Sequence, residues 1–119
     1  MKRSFPITRI YSDEAGESHF EDMEIPMEYQ GEIGNLSALM PASGIIFREV
    51  KAEYDYDFHN APQRQFIIFL DGEVEMETSL GEKRIFGPGQ VILADDTTGK
   101  GHRTRNLLPQ KRKSLFVVL

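Results

Sequence analysis

The chain has 119 residues, room for one domain around one hydrophobic core, and carries 19 acidic against 14 basic side chains for a net charge of −5. That balance disfavours nucleic acid as a partner, since duplex binding normally needs a net basic surface. Cysteine is absent, which removes disulfides, thiolate metal sites and cysteine nucleophiles and suits a reducing compartment.

The N-terminus starts basic but has no apolar run behind it. The longest apolar runs, 66–70 and 115–119, fall far short of the roughly 20 residues of a membrane helix. The expectation is a soluble, untargeted, cytoplasmic protein with no membrane partner.

In chain order, the polar stretch 12–18 reads as a mobile loop. Met23, Ile25, Met27 and Tyr29 then alternate with polar or proline positions, a strand period. Further strands are predicted over 45–50 and 54–58. Residues 65–70 are apolar on both parities, as in a central strand buried on both faces. Asp71-Gly72 follows, the pair a tight type I′ hairpin prefers, so this strand and the next should be hydrogen-bonded neighbours. In that next strand Val74 and Met76 alternate with Glu73, Glu75 and Glu77, half-buried and antiparallel. A turn over 79–82 leads to a strand over 83–86, and Gly87-Pro88-Gly89 reverses the chain into 91–94. Strands over 102–107 and 114–119 complete the set. Many short strands separated by turn residues predict an all-β sandwich or barrel, a single domain over 1–119.

From Thr97 onward the chain has no acid, while Lys100, Arg103, Arg105, Lys111, Arg112 and Lys113 all occur. A phosphate-binding patch is one reading. The favoured one is that these strands lie beside the Glu73, Glu75 and Glu77 strand with opposite charges facing on the wet side.

Three histidines exist: His19, His59 and His102. The last two are 43 positions apart and become a pair only if the fold brings their strands together. Motifs for other chemistries fail. Thr98-Gly99-Lys100-Gly101 lacks the leading glycine and following Ser/Thr of a phosphate loop, Gly87-Pro88-Gly89 has no third glycine or helix, and no Gly-x-Ser-x-Gly elbow occurs.

The pattern around the two histidines resembles the cupin family. Cupins carry a His-x-His motif followed after a short gap by Glu and then by Gly. Here His59-Asn60-Ala61-Pro62-Gln63-Arg64-Gln65 is followed after six residues by Gly72. Their second motif ends in His and, shortly after, Asn, matched by His102-Arg103-Thr104-Arg105-Asn106 behind Gly87-Pro88-Gly89. The resemblance covers about residues 45–119, with 1–44 supplying N-terminal strands and loops. It implies a double-stranded β-helix, or jelly-roll, barrel and three ligand positions: His59, Gln65 and His102. This sequence departs from the family where Ala61 replaces the second histidine and Gln65 the glutamate.

A divalent transition metal (zinc, nickel, manganese or iron) is therefore expected at His59, Gln65 and His102, with a metal-free pocket as the alternative. Two imidazoles and an amide would leave the ion's charge uncompensated, favouring an anionic, oxygen-bearing substrate and lyase- or isomerase-type chemistry over oxygenation. The enzyme reading leans positive, and the competing function is small-molecule binding or sensing without catalysis. Asp96 and Lys100 are the candidate acid–base groups. Asp57, Arg64 and Asp95 are the candidate pocket residues, Asp57 because strand parity places it on the face of His59. The same parity turns Tyr54, Tyr56 and Phe58 away from the pocket, where a second subunit could cover them. Together with the family resemblance, that predicts a homodimer.

Overall fold

The computed structural model describes residues 3–119; Met1 and Lys2, the start of the basic N-terminus, lie outside the described residues. Twelve strands are formed among these: β1 (Ser4–Ser12), β2 (Ser18–Pro26), β3 (Tyr29–Gly31), β4 (Gly34–Leu36), β5 (Gly44–Val50), β6 (Asp55–His59), β7 (Gln65–Phe69), β8 (Val74–Thr78), β9 (Lys83–Phe86), β10 (Val91–Asp95), β11 (His102–Asn106) and β12 (Arg112–Val118). A six-stranded sheet in the order β2-β1-β10-β7-β12-β5 faces a four-stranded sheet in the order β6-β11-β8-β9, and β3-β4 forms a separate small hairpin. The all-β expectation holds, and no helix of the described residues is long and apolar enough to cross a membrane.

The core lies between the sheets. Alternation on β8 buries Val74 and Met76 completely and turns the glutamates outward. Phe69 of β7 stacks on Phe86 of β9 with centroids 5.9 Å apart, tying one sheet to the other. Ile10 and Ile92 are fully buried in the same cluster. The charge pairing read from the sequence is present: β11 runs beside β8, setting Arg103 opposite Glu77 and Arg105 opposite Glu75, and Arg105 Nε donates to Glu75 at 2.9 Å. Arg112 is the exception. It is 1% exposed and points into the core.

Two local expectations are corrected. Asp71-Gly72 does not close a hairpin, because β7 and β8 belong to different sheets. A type I′ turn needs positive φ at both central residues, and only Gly72 has it, at 70°. The dipeptide instead carries the chain across the barrel, with Asp71 Oδ1 accepting from the Lys113 amide at 2.6 Å. The polar stretch 12–18 is an ordered turn of the β1-β2 hairpin, where Asp13 Oδ1 accepts from the amides of Ala15 and Glu17 at 2.9 and 3.0 Å. The N-terminal segment supplies strands to the six-stranded sheet, where β1 pairs in parallel with β10.

Candidate functional site

A cavity of about 300 Å³ opens between the sheets. His59 at the end of β6 and His102 at the start of β11 meet there, as register partners with ring centroids 4.6 Å apart. The expected convergence of the two imidazoles is present. Each ring has one nitrogen engaged. His59 Nδ1 donates to the Asp57 carbonyl at 2.8 Å, and His102 Nδ1 lies 2.5 Å from Asp96 Oδ2. In both rings Nε2 is left for the cavity. Gln65, 2% exposed, completes this end, and its Oε1 has no partner.

The loop between β10 and β11 folds back tightly to hold this arrangement. The Ala61 amide donates to the Asp96 carbonyl at 3.2 Å, Asn60 Nδ2 to the Gly99 carbonyl at 2.9 Å, and Ser18 Oγ to the Gly101 carbonyl at 2.7 Å. Asp96 is fully buried and fixes the His102 ring from behind. It acts through His102, so its role is positioning.

The opposite end of the cavity is cationic. Arg112, the first residue of β12, donates through Nε to Asn106 Oδ1 at 2.8 Å. Its Nη1 and Nη2 are buried without any hydrogen-bond partner. The guanidinium lies over the rings of Tyr54 and Phe69, 5.8 and 5.6 Å from their centroids, and the Arg48 guanidinium lies over the Tyr54 ring at 5.0 Å. Burial, reinforced by the Arg48 charge, brings the Arg112 guanidinium down to about 10, so it is still cationic at neutral pH. Between the two polar ends the wall is apolar, formed by Ile67, Phe69, Met76 and Phe116.

Several sequence-based assignments fall elsewhere. The β6-β11 pairing shifts register between His102 and Thr104: between the pairs Tyr56–Thr104 and His59–His102, the two residues Asp57 and Phe58 oppose the single Arg103. This β-bulge inverts the parity. Tyr56 thus joins His59 at the cavity, their rings stacked at 4.0 Å, and Tyr54 lines it too. Asp57 is on the exposed side, its Oδ1 accepting from the Phe58 amide, and of the three aromatics only Phe58 faces away. Asp95 follows the cavity-lining Ala94 and so points outward, where it pairs with Arg9 at 2.9 Å and Arg64 at 3.3 Å; neither Asp95 nor Arg64 lines the cavity. Lys100 is exposed and pairs with Glu17, away from the imidazoles. Arg112, Arg48, Tyr54 and Tyr56 were missed. For Arg112 a signal existed, because it shares parity with Ser114 and Phe116 on a strand whose inner face is apolar.

No known protein family matches the chain, and no curated protein does. Among solved structures, an RmlC-like cupin protein from Desulfovibrio desulfuricans aligns over 97% of this chain and 82% of that one, at 14% identity and a TM-score of 0.44. The fold is read from the strand order alone. Two facing sheets joined by repeated crossings, as between β7 and β8 and between β9 and β10, make the jelly-roll barrel in the strand order itself. No ligand, metal or reaction carries over from a likeness at this level.

The donors present do not add up to a transition-metal site. No cluster of three His, Cys, Asp or Glu suited to a metal occurs among the described residues. Asp57 and Asp95 face outward, Asp96 is turned to the far side of His102, and the cavity already holds the positive charge of Arg112. A dication there would have two imidazoles and one amide oxygen against that charge.

One pH response follows from His59. Burial, the largest influence, and the neighbouring His102 hold its folded value below the ordinary 6.5, against the opposing bond to Asp57. The unfolded chain therefore takes up this proton first as pH falls, and stability should decline from about pH 6.5 downward. The urea midpoint should drop between about pH 7.5 and about pH 5.5, and His59→Gln should flatten that drop. Asp13, Glu17 and Glu75, all held below their ordinary values, titrate in a lower window and leave this one clear. An equal slope in the variant would contradict the assignment.

Proposed function

We propose that the barrel is a metal-free binding site for a small organic anion, with the His102 imidazole placed to accept a proton from the bound molecule. The observation that carries this reading is the Arg112 guanidinium, buried in the cavity wall with two N–H-bearing nitrogens unsatisfied. Buried polar groups are nearly always paired, and a charged group left unpaired is costly. A planar carboxylate satisfies both nitrogens at once. At the other end, His102 Nε2 faces the cavity while Asp96 holds the ring, the arrangement of a general base backed by an orienting acid. Proton transfer of this kind belongs to lyase and isomerase chemistry. Binding without turnover is the alternative, and it uses the same anion contacts.

The test uses protein purified without a histidine tag. Phenylpropionate should bind and phenylpropionamide should not, with the affinity unchanged by chelator. Elemental analysis should show less than about a tenth of an equivalent of any transition metal after attempted loading, as a donor set of this kind implies. A full equivalent of zinc, nickel, manganese or iron that disappears in His59→Ala and His102→Ala would overturn the metal-free part. Equal binding of acid and amide would overturn the anion part.

A further inference from the structure

We infer that the ligand is polar at both ends: a hydroxy acid with an apolar, ring-sized middle, its carboxylate on Arg112 and its hydroxyl on Gln65 and His59. This deepens the anion reading and rests on it. Gln65 pairs with Val118 near the end of β12, whereas Arg112 opens that strand; their backbones are ~20 Å apart along the sheet. Both side chains nonetheless line one cavity. The two ends have opposite hydrogen-bonding needs. Arg112 offers only donors. Gln65 Oε1 is a buried acceptor with no partner, and His59, whose Nδ1 is committed to Asp57, presents the Nε2 lone pair of a neutral ring. A carboxylate on one side and an O–H on the other satisfy all of them. An ammonium group is a poor match for the second end, because Arg48 and Arg112 already make the cavity positive. Phe69, Phe116 and Tyr56 line the span between and accept a flat apolar body.

The test compares phenylpropionate with its para-hydroxy analogue on the wild-type protein and on Gln65→Met. The wild type should favour the hydroxylated acid by about tenfold, the worth of one or two buried hydrogen bonds. Gln65→Met should lose that preference and bind the two acids equally. Equal affinities in the wild type, or a preference that survives Gln65→Met, would overturn the hydroxyl assignment and leave the anion reading standing. Failure of both acids to bind, or binding of the amide as tightly as the acids, would instead remove the anion reading itself. The wild-type comparison decides the matter even if the variant folds poorly.

Discussion

Arg112→Met should bind phenylpropionate at least ~30-fold more weakly than the wild type while melting at the same temperature or higher. The two effects have opposite signs for one reason. In the free protein the guanidinium is out of water with two nitrogens unpaired, an arrangement that opposes folding, and replacing a buried charge by an apolar side chain of similar length is often neutral or stabilising. Against this stands only the bond from Nε to Asn106 and the stacking on Tyr54 and Phe69. In the complex the same nitrogens hold the carboxylate, and truncating one partner of such a buried pair costs about 2 kcal/mol or more, hence the ~30-fold loss. Arg112→Lys should fall between, keeping the charge without the two-pronged geometry. Calorimetric titration and a melting curve on the same samples read both quantities. A large loss of stability with affinity intact would make Arg112 a structural residue and end the proposed function.

Gly101→Ala should destabilise the protein by about 3 kcal/mol or more and separate the two imidazoles. Gly101 has φ of 73°, a conformation that costs a residue with a Cβ roughly 1–2 kcal/mol by itself. An added methyl would also sit 2.1 Å from the His59 carbonyl oxygen and 2.4 Å from its carbon. Both atoms are backbone, so either the loop or β6 must move, and His59 moves with it. Gly89→Ala is the control: its φ is 84°, yet nothing lies within 4 Å of the added carbon. The control should lose only the conformational part. Denaturant unfolding measures the difference, and the histidine ring resonances should shift in Gly101→Ala alone. Equal losses in the two variants would show that the close approach at His59 is relieved at no cost.

The positions of single side chains were legible wherever a strand kept its period. Val74, Met76 and the outward glutamates of β8 could be placed from alternation, as could the facing of Arg103 and Arg105 toward them. The period broke at β6. One extra residue between Tyr56 and His59 sent Asp57 out and Tyr54 and Tyr56 in, and no local feature of the sequence announces a bulge that exists only in pairing with β11. Asp71-Gly72 misled for a related reason. Its turn propensity is real, but propensity does not say whether the strands on either side will pair with each other or with strands further along the chain.

From the amino-acid order came the all-β architecture and, through the resemblance to cupins, the two histidine motifs with Gln65 in register, because strand period, turn residues and motif spacing are local quantities; the expected preference for anions rested on a bound dication and not on Arg112. Only the tertiary structure put Arg112 in the cavity opposite those histidines, turned Asp96 into the residue behind His102, and moved Lys100, Arg64 and Asp95 outside. Those assignments depend on which face of each strand meets the enclosed space, and that is settled by pairing between segments dozens of residues apart.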